Sequence, residues 1–247
     1  MARKREPPTG LVWAQPAAAR KGLDRSRIVE AAIAVADDGG AGALTMGAVA
    51  RRLGSYSAMA LYRHVPNKDS LVDLMLDRVT AEVPLPDGPG PDWRADLSAL
   101  ARASWEMVVR HAWYAQLVHA RPPLGPNMIR RTEFVLAVLT GRGATVAEAM
   151  TYAALLDRHT FGGALQAAEE GALLAREGLE DATQLAAAIS RVQAIAEARG
   201  DTPILAAWMA SPTIASPTEQ FELSLGFLLD GIAGRLPKRR PGTPGRH

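Results

Sequence analysis

The sequence predicts an all-α protein in two parts, a small three-helix unit within residues 24–84 and a larger helical unit over 92–236. Three observations carry this reading. Apolar residues recur at spacings of three and four along most of the chain, the period of one face of an α-helix. No segment alternates with period two between turn residues, so strands are not expected. Between the parts lies PLPDGPGPD at 84–92, four prolines and two glycines in nine residues, the clearest linker in the chain.

Length and composition agree with two units. The 247 residues suffice for one small and one medium domain, and with 48% apolar residues a sizeable core can form. There is no cysteine, which excludes disulfides, thiolate nucleophiles and cysteine-held zinc. No apolar run approaches the roughly 18 residues of a membrane span. The basic start MARKREPPTG lacks the apolar stretch of a signal peptide. A soluble, cytoplasmic protein without membrane contact is expected. The net charge of +2 hides an asymmetry, since residues 1–23 hold five basic side chains and one acid, and residues 235–247 five basic side chains and no acid.

The elements follow in order. Residues 1–23, broken by Pro7, Pro8, Pro16 and glycines, read as a flexible basic arm that Leu11 and Trp13 can pin to the body. Asp24 is a helix-capping residue type, Ile28, Ala31, Ala32, Val35 and Ala36 form a stripe, and Gly39-Gly40 is the expected stop. Thr45 caps a second helix through Val49, Ala50 and Leu53 to Gly54. Ser55-Tyr56-Ser57 is a turn, and Ala58 to His64 a third short helix that Pro66 ends. Asn67 caps a fourth helix over 67–83, with Leu71, Leu74, Met75 and Val79 on one side. Beyond the linker, helices are expected near 92–110, 113–120, 125–141, 144–174, 181–199, 202–210 and 217–236. Residues 237–247 read as a basic disordered tail. No internal repeat is present.

The chemistry concentrates in 45–64, TMGAVARRLGSYSAMALYRH. Two short helices joined by a tight turn cannot bury the stripes Val49/Ala50/Leu53 and Leu61/Val65 alone, so the helix at 24–38 completes a tripod. The tripod displays Ser57, Ala58, Met59 and Tyr62, with Arg63 and His64 at the end of that face. A helix lying in the DNA major groove reads bases with its N-terminal residues while its neighbours hold phosphates. Small residues at 57–60 permit close approach to base edges. Tyr62, His64 and Lys68 suit phosphate oxygens, Thr45 can offer a hydroxyl, and the N-terminus of the fourth helix adds backbone N–H groups. Two readings stand for single residues: His64 as phosphate contact or helix cap, and Met59 as base contact or core. The arm's Arg3, Lys4, Arg5, Arg20 and Lys21 suit either solubility or contacts to phosphates and the minor groove.

Residues 24–84 resemble the N-terminal domain of TetR-type repressors, on LTMGAVARRLG and LYRHVPNKDSLVDLML above all. The resemblance implies backbone contacts by Tyr62, His64 and Lys68, with Ser57 and Met59 in the base-reading region. Two departures stand out: the turn between Gly54 and Tyr62 is one residue longer than usual, and Gly47 sits where many relatives carry a basic or polar side chain.

The 92–236 unit is similar to the ligand-binding and dimerisation domain of tetracycline-repressor-like proteins. Its last helix carries Phe221, Leu225, Leu228, Ile232 and Leu236 on one stripe, widened by Leu223, Phe227 and Leu229, so two faces need covering. Gly226, Gly231 and Gly234 would permit close helix approach. With the alanine-rich helix over 144–174, which carries Gly162-Gly163, the resemblance implies a homodimeric four-helix bundle and a palindromic operator on double-stranded DNA. A small-molecule effector is expected between helices, with Trp105, Trp113, Phe134, His159 and Phe161 as candidate walls and Asp157 or Gln166 as orienting groups; each aromatic also reads as ordinary core. His111 and His119 show no metal spacing, and no metal or cofactor is expected. Two other functions were weighed. An enzyme lacks any nucleophile–His–acid set, phosphate loop or HExxH motif. A protein-interaction adaptor is left open by the long turn and Gly47.

Overall fold

The computed structural model describes residues 23–54, 56–120, 125–178, 182–210 and 215–237, without the side chains of 120, 182–186 and 188. The expectations for the basic arm, the basic tail and Ser55 of the long turn lie outside the described residues. Eleven helices and no strand are found among the described residues. None is long and apolar enough to cross a membrane.

The first unit is built on capped helices: α1 (Arg25–Ala43), α2 (Met46–Arg52), α3 (Ala58–Leu61) and α4 (Lys68–Thr80). Asp24, Thr45, Ser57 and Asn67 each accept a backbone N–H of the following turn, at 2.8, 3.1, 3.3 and 2.7 Å. Such a cap contributes about 0.5–2 kcal/mol. For α3, a single turn, capping cannot suffice, because the cost of nucleation exceeds what one turn returns. Burial of Leu61 and Val65, both fully covered, holds it against α2.

Helix α1 breaks where a stop was expected: Gly40, at φ 72° and ψ 178°, is non-helical, and one further turn to Ala43 follows the kink. Other boundaries differ from expectation. Helices α4 and α11 end three residues early, at Thr80 and Ala233. Helix α3 ends at Leu61 and not at His64: proline disfavours helical backbone in the residue before it, here Val65, and residues 62–65 form hydrogen-bonded turns instead. Tyr62 and His64 therefore sit on a turn. Helix α8 runs three residues beyond its expected end, to Glu177, and stops where Gly178 adopts φ 65°.

The second unit comprises α5 (Trp93–Arg110), α6 (Trp113–Ala120), α7 (Pro126–Thr140), α8 (Val146–Glu177), α9 (Ala182–Arg199), α10 (Pro203–Ala210) and α11 (Pro217–Ala233). Helices α5, α7, α6 and α11 surround the inner half of α8, while α9 packs chiefly on α10. Capping boxes start α8 (Thr145 with Glu148) and α11 (Ser216 with Glu219).

Helix α4 belongs to both units. It packs on α1 and also on α5, α6 and α7, and Leu71, Met75, Leu76 and Val79 are fully covered. Its two buried polar residues are paired across the boundary. Asp77 accepts the backbone N–H groups of Asn127 (2.9 Å) and Met128 (3.2 Å) and the Asn127 Nδ2 amide (2.7 Å). It thus performs the capping that Gly125, the N-cap of α7, has no side chain to supply. A Cβ on Gly125 would lie 2.2 Å from Asp77 Oδ1, so no larger residue fits without displacement. The Thr80 hydroxyl donates to Leu76 O at 2.8 Å, so the Tyr114 hydroxyl, 2.9 Å away, must donate to Thr80. Burial pushes the Tyr114 pKa up to about 12.

Asp77→Ala should leave the first turn of α7 without its acceptor and destabilise the protein by about 2 kcal/mol. Urea denaturation followed by circular dichroism checks this as a lower midpoint.

Candidate nucleic-acid interface and ligand cavity

The outer face of the tripod is laid down by the turn around Gly54 and by the cap at Ser57. Gly54 takes φ 84°, a left-handed conformation that reverses the chain after α2. Ser57 then starts α3 with its side chain turned to the backbone, and Ala58, half-buried, closes the base of the helix. Met59 is left 71% exposed and Tyr62 43% exposed. Core packing is therefore not what Met59 does in this chain. Thr45 and Lys68 are exposed at the starts of α2 and α4, but the Thr45 hydroxyl already accepts Ala48 N–H. His64 is half-buried, and its Nδ1 is covered without a hydrogen bond, so this nitrogen caps no helix.

Two further arginines of the first unit are exposed. Arg63 follows Tyr62, and Arg51, in the last turn of α2, was not singled out in the sequence. Its signal was the pair Arg51-Arg52 before Leu53-Gly54; Arg52 is engaged by Asp38 of α1. The thirteen-residue α4 directs its N-terminal amides past Lys68, so partial positive charge adds to the side chains.

In the second unit, three rings lie nearly parallel between α5, α8 and α11. Trp105 stacks on Phe221 with centroids 4.3 Å apart, and Phe221 stacks on His159 at 5.5 Å. Gly163 makes the arrangement possible, since a Cβ there would stand 3.1 Å from the Trp105 ring. Two openings flank the stack. One, about 440 Å³, is lined by Trp105, His159, Gly162, Gly163, Gln166 and Ser224 among others. The other, about 500 Å³, lies beside Arg102, Glu106, Val109 and Thr218. Arg102 closes the second with a two-point pair to Glu222 (2.6 and 2.7 Å), which holds the Glu222 carboxyl below its ordinary range. Burial lowers the His159 pKa, and Ser224 Oγ stands 3.3 Å from its Nε2.

Of the expected cavity residues, Trp105, His159 and Gln166 meet at the smaller of these openings. Asp157 and Phe161 line neither of these two openings and instead meet a buried arginine: Asp157 pairs with Arg131 at 2.7 Å, and the Arg131 guanidinium lies 5.5 Å from the centre of the Phe161 ring. Phe134 lines a separate opening of about 370 Å³ beside the linker at 85–89. Trp113 lies at the junction of the two units, where its indole N–H donates to Asp37 of α1 at 2.6 Å. His111 joins it there, its ring nitrogens 2.7 Å from Asp37 and 3.3 Å from Glu82. Phe221 and Arg131 were not anticipated as site residues. The signal for Arg131 was a charge at a core position of the stripe Met128, Arg131, Val135, Val138.

With this geometry in view, comparison with known proteins is informative. Residues 28–75 match the bacterial regulatory proteins of the tetR family, and residues 85–236 match the tetracyclin repressor-like C-terminal domain. The HTH-type transcriptional repressor DrrR1 of Streptomyces coeruleorubidus is 35% identical over 88% of this chain and 80% of its own length. The class A tetracycline repressor protein from transposon 1721 of Escherichia coli is 27% identical over 86% of this chain and 92% of its own. Among solved structures, Streptomyces coelicolor ActR in complex with actinorhodin is 25% identical, with a TM-score of 0.71 over 87% of this chain and 98% of that one.

His159 supplies a pH test. Its folded pKa lies below the ordinary 6.5, so the unfolded chain binds the proton more readily. Its stability contribution is fully present above pH 6.5 and is lost as the pH falls through the lowered folded value. Against His159→Gln, whose melting temperature lacks this titration, the wild type should lose relative stability between pH 7 and 5.

Proposed function

This chain belongs to the TetR family of bacterial regulatory proteins, and from that premise we propose that it is a homodimeric repressor released from a palindromic operator by a small molecule. Members of this family are DNA-binding regulators and not enzymes. In this reading residues 24–84 form the DNA-reading unit and residues 92–236 the sensing and dimerising unit, acting in the cytoplasm. The observation that carries the DNA side is the bare outer face of the tripod. An unbranched apolar side chain at 71% exposure and an exposed tyrosine, in a unit that also exposes Arg51, Arg63 and Lys68, suit a partner with negative charge. Ser57, Ala58 and Met59 read bases, while Thr45, Tyr62, His64 and Lys68 hold the backbone.

The dimer side rests on α8 and α11. Leu223 and Phe227, one turn apart on α11, are 61% and 67% exposed, and Met150 and Leu155 are exposed on α8. A second copy of the same two helices covers both sets by twofold symmetry. Effector binding is supported by the openings around Trp105, Phe221 and His159, and by the likeness to ActR, whose solved complexes hold actinorhodin and (S)-DNPA. The other expected wall residues enter this reading differently: Asp157 and Phe161 from behind the stack, Trp113 and Phe134 by supporting the helices around it. Release then requires the effector to favour one spacing of the recognition helices over the other, transmitted through α4.

The experiment is fluorescence anisotropy with DNA from upstream of the gene. Wild type should bind in a salt-dependent manner, and Tyr62→Ala and Lys68→Ala should weaken binding across sequences, Lys68→Ala also lowering the salt slope by about 1. Unchanged affinity in both variants would favour the adaptor reading. Phe227→Glu should yield monomers in analytical ultracentrifugation and lose operator affinity with them.

A further inference from the structure

Buried polar groups in a helical core are ordinarily paired, because an unpaired one has lost its water and gained nothing. Two at the centre of the second unit are not. Arg131, with its side chain 2% exposed, gives Nη2 to Asp157 at 2.7 Å and, more distantly, to Ser104 Oγ at 3.4 Å, while its Nε has no partner. The Thr160 hydroxyl is fully covered and also has none. Thr80, Thr140 and Thr151, by contrast, each donate to the carbonyl four residues back.

Their placement connects them to the ring stack. Asp157, Thr160 and Phe161 share one face of α8, at the i, i+3 and i+4 positions. Arg131 reaches along that face, bound to Asp157 and lying against Phe161. Gly163, one turn after Thr160, lies at the edge of the neighbouring face that carries His159 and Gln166, and Trp105 closes on Gly163. Trp105 in turn follows Ser104, which Arg131 touches. The inner wall of the cavity, Trp105 on Gly163, is thus one helical turn from Thr160, and Arg131 touches the residue before Trp105.

We infer that Arg131 Nε and Thr160 Oγ1 are the polar subsite of the effector cavity, reached when Trp105 moves off Gly163, and that the effector is a flat aromatic molecule with an acceptor oxygen at its edge. The inference rests on the reading of the second unit as effector-binding. Flatness follows from the parallel faces of Trp105, Phe221 and His159. An acceptor is required because the arginine Nε can only donate and the threonine hydroxyl can also donate. A full negative charge is not required, because Asp157 already balances the guanidinium. A ring carbonyl or a phenolic oxygen satisfies both groups.

Thr160→Val tests this, being nearly equal in volume and lacking only the hydroxyl. The probes are anthraquinone-2-sulfonate and anthracene-2-sulfonate, the same frame with and without ring carbonyls, titrated into full-length protein by quenching of tryptophan fluorescence. Wild type should bind the quinone about tenfold more tightly than the anthracene, a difference of about 1.4 kcal/mol. Thr160→Val should lose that preference while binding the anthracene as before, and Thr160→Ser should retain it. Without probe, Thr160→Val should melt at or above the wild-type temperature, since it deletes an unpaired group. A lower melting temperature would mean that the hydroxyl has a partner, and would overturn the subsite. Equal quinone binding by Thr160→Val, or no binding of either probe to wild type, would also overturn it. If the quinone binds with the expected preference and leaves operator affinity unchanged, the subsite stands and the effector reading fails instead.

Discussion

Helix α4 is buried from both sides, and most of the architecture follows from that. A helix covered by α1 on one flank and by α5, α6 and α7 on the other cannot leave polar groups unmet. Asp77 and Thr80, buried at its C-terminal end, therefore find partners on neighbouring helices. Asp77 becomes the cap of α7, and Thr80 receives the Tyr114 hydroxyl of α6. These bonds are directional, unlike the apolar contacts around them, so they define where α4 stands relative to the second unit. The junction is completed by Asp37, which takes the Trp113 indole N–H and faces His111 from α1.

Hydrogen bonds and ion pairs link α4 through α7 to α8. Lys68 is exposed at the capped N-terminus of α4, while Asp77, nine residues on, grips α7. Arg131 lies one turn beyond the amides that Asp77 holds, and its guanidinium reaches Asp157 of α8 beside the ring stack.

The sequence reading succeeded where a local rule sufficed. Asp24, Thr45, Ser57 and Asn67 are capping residues by type, and each caps; the apolar stripes at Ile28–Ala36 and Leu71–Val79 are buried as their spacing required. It failed at residues 62–64, where a downstream proline shortens a helix. Within the candidate site, the aromatic residues were recognisable by type but not by location. Trp105 and His159 converge because α5 and α8 pack together, whereas Trp113, of the same chemistry, is drawn to Asp37 and Phe134 to the linker.

By itself, then, the sequence determined the helical class and the capped helices α1 to α4, which leave Met59, Tyr62 and Lys68 exposed. Each of these depends on residues within a few turns of one another, where period and capping chemistry are decisive. The tertiary structure alone decided which rings share a cavity, that Asp77 caps a helix fifty residues away, and that Arg131 and Thr160 lie buried with unpaired groups. Those are properties of helix packing across long sequence separations, and no local pattern of residue types encodes the distance between two side chains on different helices.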